Sequence, residues 1–508
     1  MGTAIAMAAL AVALGALLLW LIIWYFHEQR RRGSQDSQLP PVPEVPGLPV
    51  IGNALQLRER KPHSIFVKWV KTYGPIFSIR VGSKSIVVLN NQDVAKEAMV
   101  TRFSSISTKR LSKALSSVTF DQCMVAMCDY GDFHRTMKRH IIKNVLGPNA
   151  QKRHRVHRDT LIDNLVKDLH THVKNNGLQP VNFRNIYSSE LFRLAMKEAI
   201  GRDVEYINVE ELGRLSRPEI YKILIIDPIE VGLECADWRD FFPLLKWVPQ
   251  RNFGRKIEKM EFRRLAVMKA LIKEQSKQAA SGEEMNCYLK YLLTEGETLT
   301  EKQIASLLWE VVIESSDTTM VTAEWALFEL AKSPKLQESL YEEIQSICGS
   351  DKITEEHLCR LPLLDAVFHE TLRTHIPLPI VPLRYVHEDT ELGGCYVPAG
   401  SEIAINLYGC NMDENRWEKP EEWNPERFLD DKKKYTPSDS YKTMAFGAGK
   451  RLCPGALQVT LIVCTTIGRL VQEFEWRLKD GEEEDVDTVG IINQKLHPMH
   501  AVIRPRNL

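Results

Sequence analysis

Hydrophobic positions follow three patterns along the chain, and each pattern predicts a different kind of element. An unbroken apolar run covers residues 4–26. Short apolar runs such as IFSIRVG and SIVVLN come next and are typical of strands in a small sheet. From about Val94 onward the apolar spacing is helical, and residues 306–332 are too apolar on all sides for a surface helix. The patterns predict a mainly α fold with a small β-sheet region and one helix that crosses the core.

The first apolar run, residues 4–26, is uncharged and long enough for the roughly 20 residues that span a bilayer. A cleaved signal peptide would have positive charge before a shorter apolar core. No Lys or Arg precedes this run, while Trp20, Trp24 and Tyr25 indicate a membrane interface and arginines occupy positions 30–32. These features favour a retained single-pass transmembrane anchor, and the positive-inside rule places the remaining chain in the cytosol.

A basic and proline-rich hinge at residues 27–53 follows the predicted anchor. Its stretch LPPVPEVPGLPVIGN contains five prolines, which fix φ and remove backbone donors, so the stretch predicts a stiff spacer. A proline-rich partner motif is the alternative. Because no internal repeat or long polar linker follows, we expect residues 54–508 to form one large domain.

The composition argues against several classes of function. The 508 residues contain 66 basic and 66 acidic side chains, a balance that gives no reason to expect a nucleic-acid partner. The ten cysteines are scattered without a Cys-x-x-Cys pair or regular histidine spacing, which argues against zinc and a disulfide framework. No flavin or dinucleotide loop occurs in the chain.

The stretch FGAGKRLCPG, residues 446–455, places one cysteine among glycines, cations and a proline. A phosphate-binding loop is excluded, because Met444 stands where that loop needs glycine and Arg451 where it needs Ser or Thr. Pro454 suits the first position of a helix, so the sulfur of Cys453 is predicted to lie at the positive end of a helix dipole. A cysteine there can become a metal-ligating thiolate, whereas the other cysteines fit buried structural roles.

Five residues at fixed spacing carry a family resemblance: Phe446, Gly449, Arg451, Cys453 and Gly455. They match every fixed position of the F-x-x-G-x-R-x-C-x-G loop, and the chain therefore resembles the cytochrome P-450 monooxygenases. The resemblance implies that the loop binds haem b and that Cys453 is the axial thiolate of its iron. Gly449 permits a tight turn before the sulfur, Gly455 allows a helix to approach the macrocycle, and Arg451 can reach a carboxylate of the same ligand.

A second family motif is Glu-x-x-Arg on a helix, a spacing that alone indicates only an i,i+3 ion pair. The spacing recurs in this chain, and order along the sequence selects Glu370 and Arg373. The later stretch NPERF then supplies Arg427 before the cysteine loop, as in the family. The resemblance implies that these three residues form a buried, mutually satisfied charge cluster with a structural role.

The stretch ESSDTT, residues 314–319, resembles the family's A/G-G-x-D/E-T-T oxygen-activation motif. The resemblance implies that Asp317 and Thr318 deliver protons during oxygen activation. The alternative is that the hydroxyls only bond the carbonyl of the preceding helical turn. Glu314 and Ser315 replace the small residue and the glycine of the family pattern, so the pattern leaves the local opening of the helix unspecified.

Family members bind the haem propionates with cations, commonly through a Trp-x-x-x-Arg pair. The stretch YGDFHRTMKR aligns His134 with that tryptophan and Lys138 with that arginine. The resemblance adds Arg384 and Arg451 to the predicted propionate-binding set. Surface solvation is the alternative for Lys138.

Longer stretches such as VIESSDTTMVTAEWA and AINLYGCNMDENRWEKPEEWNPERF are similar to the plant ent-kaurene oxidases. That similarity implies stepwise oxidation of a methyl of the diterpene ent-kaurene to ent-kaurenoic acid in gibberellin or other diterpenoid biosynthesis. Leu308, Trp309, Val312 and Ile313 offer few polar groups, which suits an apolar substrate. Two alternatives stay open: a monooxygenase of another diterpene, and a haem-binding isomerase, dehydratase or non-catalytic haem protein.

The resemblance also implies partners and a location. Electrons would come from a membrane-bound NADPH-cytochrome P-450 reductase, which docks on the side of the cysteine near Lys442, Lys450 and Arg451. Dioxygen is the expected co-substrate. Plant members of this type are expected at the endoplasmic reticulum or the plastid outer envelope, with the catalytic domain in the cytosol.

Overall fold

The computed structural model covers most of the chain beyond the N-terminal run. The described residues are Gly15, 39–57, 61–234, 238–242, 245, 248, 251–280, 287–295, 299–429, 443–482, 487–489 and 492–506. The predicted anchor at residues 4–26 lies, apart from Gly15, outside them, as do residues 27–38 of the predicted hinge. Among the described residues, no helix is both long enough and apolar enough to span a bilayer.

Helices make up most of the described chain. The α-helices are α1 Pro62–Tyr73, α2 Gln92–Lys96, α3 Lys113–Val118, α4 Asp132–Ile141, α5 Pro148–Asn176, α6 Phe183–Ile200, α7 Arg217–Tyr221, α8 Asp227–Glu234, α9 Trp238–Phe241, α10 Arg251–Ala280, α11 Tyr288–Glu295, α12 Glu301–Glu314, α13 Asp317–Lys332, α14 Pro334–Cys348, α15 Pro362–Thr374, α16 Leu407–Asn411 and α17 Ala456–Glu473. Shorter π and 3₁₀ segments cover Glu97–Thr101, Phe103–Ile106, Ile142–Leu146, Lys222–Ile226, Leu358–Arg360, Pro425–Phe428 and Gly449–Arg451.

Strands are short and occur in small sheets. They are β1 Ile76–Val81, β2 Lys84–Leu89, β3 Val181–Asn182, β4 Tyr206–Val209, β5 Gly213–Ser216, β6 Ile380–Tyr385, β7 Thr390–Leu392, β8 Cys395–Val397, β9 Glu402–Asn406, β10 Phe474–Leu478, β11 Thr488–Val489, β12 Gln494–Lys495 and β13 His500–Pro505. The mainly α fold with a small β-sheet region, predicted from the sequence, is confirmed.

The chain divides into two compact units, and the first comprises Met1–Arg110, Trp238–Lys246 and Pro382–Asn406. It is built on a sheet with strand order β1-β2-β9-β6, in which β1 and β2 are antiparallel and β2 and β9 are parallel. Phe77 and Val88 are paired across β1 and β2, and both are fully buried. The strands predicted from IFSIRVG and SIVVLN are therefore confirmed.

The second unit comprises Leu111–Asp237, Trp247–Val381 and Leu407–Leu508. Helix α13 runs through it, packed against α6, α15, α17 and β10. Residues on every face of α13 are buried, including Trp325, Phe328 and also Glu324, whose carboxylate pairs with Arg184. The predicted passage of this segment through the core is confirmed.

The prediction of one continuous helix over residues 306–332 is wrong, because α12 ends at Glu314 and α13 begins at Asp317. The hydroxyl of Ser315 donates to the carbonyl oxygen of Val311 at 2.7 Å. The hydroxyl of Ser316 donates to the carbonyl oxygen of Val312 at 3.0 Å. Serine hydroxyls that bond the preceding turn compete with the backbone amides, which favours a break at this pair.

The two helices on either side of the break belong to different apolar cores of the second unit. The α12 core includes Leu308 and Trp309, which pack with Phe120, Met124 and Val125 among other side chains. The α13 core combines that helix with apolar residues of α5, α15 and α17 and with β10 and β13. The break at residues 315–316 therefore coincides with a change of packing environment.

Candidate functional site

The cysteine loop, residues 443–455, folds back on itself before α17. The backbone N–H of Cys453 donates to the carbonyl oxygen of Phe446 at 2.9 Å. Between them lies the 3₁₀ turn Gly449–Arg451. Gly449 has a φ of +65°, a left-handed conformation that glycine adopts without the steric cost of a Cβ. The loop therefore turns at Gly449, as the sequence indicates.

Helix α17 begins at Ala456 with Gly455 at its N-cap, so the prediction that Pro454 is the first helical residue is wrong. Gly455 has φ −86° and ψ 2°, which lies outside the helical range and delays the start of the helix. The backbone N–H of Gly455 bonds the sulfur of Cys453 and lowers the pKa of the thiol. A peptide group at the helix start thus stabilises negative charge on the sulfur, although the sulfur precedes the helix by more than one residue.

Cys453 is exposed, yet protein atoms enclose its sulfur closely enough for desolvation to raise the thiol pKa to about 11. Both observations hold for a side chain that faces a recess inside the protein. The carboxylate of Glu314 raises this pKa further, whereas the ammonium of Lys138 lowers it. Because metals bind the thiolate, iron binding here would release the proton.

The donor set around Cys453 fits haem. Among the described residues, no three His, Cys, Asp or Glu side chains stand close enough together to hold a bare metal ion. A single enclosed thiol is a suitable protein ligand for a metal whose other positions are filled by a macrocycle. Lys138, which contacts the loop, and Arg451, which belongs to it, can bind the carboxylates of such a group.

Lys138 on α4 binds the cysteine loop directly. Its Nζ donates to the carbonyl oxygens of Lys450 at 2.9 Å and of Leu452 at 2.8 Å. Desolvation lowers the pKa of Lys138, and the Cys453 sulfur raises it. These contacts differ from the surface solvation that was the alternative for Lys138. His134 lies one turn earlier on α4 and is buried, with its ring 5.2 Å from that of Tyr130.

The remaining predicted cations occupy different environments. Arg451 turns inward, and its guanidinium donates to the carbonyl oxygens of Val125 at 3.2 Å and Cys128 at 2.6 Å. Lys450 is exposed, whereas Lys442 lies outside the described residues. Arg384 is buried in β6, within the first unit.

The predicted charge cluster is brought together in the second unit. Both oxygens of Glu370 accept from Arg373, at 2.7 Å and 2.8 Å, and Arg427 Nε donates to the same carboxylate at 3.1 Å. The backbone N–H of Asn424 adds a bond at 2.8 Å. Arg373 also donates to the carbonyl oxygens of Asn411, Pro420 and Glu422. Since the side chains of Glu370 and Arg373 are fully buried, these bonds offset the desolvation of both charges.

The oxygen-motif residues lie at the break between α12 and α13. The hydroxyl of Thr318 donates to the carbonyl oxygen of Glu314 at 3.3 Å, the bond to the preceding turn that was the alternative to a catalytic role. Desolvation raises the pKa of Asp317 to about 6, and the charge of Arg184 lowers it. The interaction of Glu314 with the Cys453 sulfur brings this motif within electrostatic range of the cysteine loop.

The sequence reading did not identify Glu310, a buried acid in α12 one turn before Glu314. Its carboxylate accepts the backbone N–H groups of Val125 and Ala126, at 2.9 Å and 2.8 Å. The stretch SLLWEVVI contains the feature that could have identified Glu310, because its carboxylate is the one charged group in an apolar helical segment. A buried charge requires hydrogen-bonding partners, so an acid at such a position predicts a tertiary contact.

Comparisons with known proteins agree with these features. Residues 40–501 match the family model described as Cytochrome P450. "Ent-kaurene oxidase" of Salvia miltiorrhiza is 57% identical over 497 residues, covering 97% of this chain and 95% of the relative. "Ent-kaurene oxidase 2" of Oryza sativa subsp. japonica is 53% identical over 465 residues, covering 91% of each protein. "Ent-sandaracopimaradiene 3-hydroxylase" of the same subspecies is 48% identical over 469 residues, covering 92% of this chain and 91% of the relative.

Replacing Glu370 with Ala tests the charge cluster. The change leaves Arg373 buried without its carboxylate, so we expect a loss of about 3 to 5 kcal/mol of stability and little accumulation of folded protein. Glu211→Ala is the matched control, because Glu211 has the same spacing to an arginine but both side chains are exposed, and we expect at most about 0.5 kcal/mol there. Thermal unfolding of both variants would measure the difference. Equal melting temperatures for the two variants would contradict the structural role of the cluster.

Proposed function

The chain belongs to the cytochrome P450 family, and from that premise we propose that it oxidises a methyl group of ent-kaurene stepwise to ent-kaurenoic acid. The family is one of haem-thiolate monooxygenases that use O2 and electrons from a redox partner. The observation that carries the substrate proposal is the 57% identity to an ent-kaurene oxidase over 97% of this chain. Each oxidation, from methyl to alcohol, from alcohol to aldehyde and from aldehyde to acid, would consume one O2 and one NADPH and release water.

Cys453 would supply the thiolate that binds the haem iron. When bound, the haem supplies the activation of O2 and the cleavage of its O–O bond. The N–H of Gly455 and the ammonium of Lys138 favour the thiolate form of Cys453. We assign Phe446, Gly449 and Gly455 to the backbone of the haem-binding loop.

The same proposal assigns the cations beside the loop to the propionates. Lys138 contacts the loop from α4 and Arg451 belongs to the loop, and carbonyl oxygens orient both side chains. His134 occupies the family's tryptophan position on the same helix as Lys138. Arg384 stays a prediction for the same role.

Asp317 and Thr318 are the proposed proton-delivery pair. An acid with a pKa of about 6 exchanges protons readily near neutral pH. The hydroxyl of Thr318 is held by a long bond to the carbonyl of Glu314, which a proton-accepting group on the substrate side can replace. The charge cluster of Glu370, Arg373 and Arg427 has a structural role in this proposal.

An apolar substrate suits the side chains around α12. Leu308, Trp309 and Val312 are buried in an apolar core, and Ile313 packs against it. Trp309 satisfies its own indole N–H with the carbonyl oxygen of Leu224 at 2.7 Å, so it offers no donor to a polar substrate. A second candidate function is oxidation of another diterpene, favoured by the 48% identity to an ent-sandaracopimaradiene 3-hydroxylase.

The remaining elements of the proposal concern the membrane. We propose that residues 4–26 anchor the protein by a single pass in the endoplasmic reticulum or plastid outer envelope. Residues 27–53 would be the hinge, and residues 54–508 the cytosolic haem-thiolate monooxygenase domain. An NADPH-cytochrome P450 reductase would dock beside the cysteine loop, where Lys450 is exposed while Arg451 is engaged by carbonyl groups.

The axial ligand is tested by Cys453→Ser. Serine cannot supply a thiolate, so the reduced protein with carbon monoxide is expected to lose the red-shifted absorbance of thiolate-ligated haem. Cys359→Ser is the control, because that cysteine is also exposed but lies on the 3₁₀ turn Leu358–Arg360. Retention of the red-shifted band in Cys453→Ser would remove the assignment.

The proton-delivery role is tested by Thr318→Ala, with product formed per NADPH consumed as the measurement. Loss of the hydroxyl is expected to divert electrons to peroxide and to lower product per NADPH about tenfold or more, since general acid–base groups typically contribute about a hundredfold or more. Thr318→Ser should restore most of the coupling. Thr322→Ala is the control, since the Thr322 hydroxyl also bonds the preceding turn, at 2.8 Å. Equal coupling in the Thr318 and Thr322 alanine variants would mean that Thr318 is only structural.

The substrate is tested with membranes that contain the protein and a plant reductase. With NADPH, we expect ent-kaurene to give ent-kaurenoic acid through alcohol and aldehyde. An apolar pocket separates hydrocarbons of similar shape by only about 1 to 3 kcal/mol, so some turnover of ent-sandaracopimaradiene is expected in direct competition. If ent-kaurene gives no oxidised product while the other olefin is consumed, the second candidate function replaces the first.

A further inference from the structure

Glu310 is a buried carboxylate that takes no part in the proposed chemistry. It accepts two backbone N–H groups, from Val125 and Ala126, with one carboxylate oxygen on each. Bonds from N–H groups to a carboxylate are stronger than bonds between neutral groups, and here the bond from Val125 is buried and the bond from Ala126 is partly buried. Glu310 therefore fixes the position of one short segment, residues 124–128, against α12.

Arg451 holds the same segment through its opposite backbone groups. Its guanidinium donates to the carbonyl oxygen of Val125 at 3.2 Å and to that of Cys128 at 2.6 Å. The peptide groups of Val125 thus have a carboxylate at the N–H and a guanidinium at the C=O. Both charges polarise the backbone in the same sense, which strengthens the two sets of bonds together.

The conformation of this part of the chain depends on such tertiary contacts. Phe120, Asp121 and Gln122 all have positive φ values between +54° and +63°, which L-residues adopt at a cost in energy. Just before them, Arg264 donates to the carbonyl oxygens of Val118 and Ser117. Local turns also close this stretch, since the N–H of Cys123 donates to Thr119 and the N–H of Cys128 donates to Met124. The tertiary anchors set where these turns lie, so removal of one anchor is expected to displace them.

We propose that Glu310 is a positioning residue, which orients Arg451 and the cysteine loop through the backbone of residues 124–128. The path runs from the α12 carboxylate to the Val125 amide, from the Val125 and Cys128 carbonyls to Arg451, and from Arg451 to Cys453 two residues later. The guanidinium of Arg451 has five N–H donors, and its bonds to the two carbonyl oxygens fix the orientation of its plane. The inference rests on the proposed role of Cys453 as the iron ligand.

The test is hydrogen exchange of the haem-loaded enzyme carrying Glu310→Gln. Glutamine presents one acceptor and one donor, so one of the two amides loses its partner. Exchange is expected to rise about tenfold at Val125 and Ala126, and also in residues 446–455, a factor typical of losing one bond to a charged group. The thiolate-ligated carbon monoxide spectrum should also decay faster than in the wild type.

Glu343→Gln is the matched control. Glu343 likewise accepts two adjacent backbone N–H groups, from Leu363 at 2.8 Å and Leu364 at 3.2 Å, at the start of α15. Its replacement should raise exchange at those two amides and leave residues 446–455 unchanged. An equal effect of both glutamine variants on the cysteine loop would overturn the proposal in favour of general destabilisation.

Two further variants keep the proposal falsifiable. If Glu310→Gln does not retain haem, Glu310→Asp serves instead, with a smaller rise expected at the same two places. A lysine at position 451 cannot bond both carbonyl groups. The thiolate-ligated carbon monoxide spectrum of the double variant Glu310→Gln, Arg451→Lys should therefore decay no faster than that of the less stable single variant.

Two results would overturn the proposal. One is a decay rate in the double variant that equals the product of the two single effects, and the other is faster exchange at Val125 without any change in the cysteine loop. Failure of the ligand assignment is recognised separately, because it appears in Cys453→Ser and leaves these exchange patterns unaffected.

Discussion

Negative charge on an enclosed sulfur is the condition around which the site is organised. Desolvation raises the thiol pKa of Cys453 to about 11, so the thiolate needs stabilisation from its surroundings and from the metal that it binds. The chain contributes the N–H of Gly455 and the ammonium of Lys138, and Glu314 acts in the opposite direction. Lys138 is itself tied to the loop by two carbonyl oxygens, so the position of the cation and the fold of the loop depend on each other.

The same solution to buried charge recurs through the second unit, where charged side chains bind backbone groups of distant segments. Arg373 donates to three carbonyl oxygens between Asn411 and Glu422, besides its bonds to Glu370. Arg264 and Glu343 bind backbone carbonyls and amides in the same way. Arg264 binds carbonyl groups at the end of α3 and Glu343 binds amides in the first turn of α15, so these charges bind backbone groups at helix ends, where the helical ladder leaves groups unpaired. These contacts place loops rather than adding greatly to net stability.

The sequence predicted the parts of the site whose information is local. The cysteine motif follows from residue spacing and the strands around Phe77 follow from alternation, whereas order along the chain, as in the family, selects Glu370 and Arg373 among pairs of the same spacing. The structure pairs Glu370 with Arg373 and β1 with β2. The apolar pattern could not predict the break between α12 and α13 or the start of α17. The hydroxyl bond of Ser315 decides the first boundary and the non-helical conformation of Gly455 decides the second. The contacts of Arg451 with residues 125 and 128 join positions more than 300 residues apart, and nothing in the local sequence specifies that pairing.

The break between α12 and α13 separates two cooperative units of stability within one apparently continuous apolar stretch. Each half of the stretch is anchored in its own core, so fluctuations of one core need not pass along a rigid rod into the other. The half that carries Leu308 and Trp309 packs with Phe120 and Val125, whereas the other half packs against α15, which carries Glu370. A substitution that loosens one core therefore acts first on the side chains of that core, and it reaches the other core through α6, which contacts both halves.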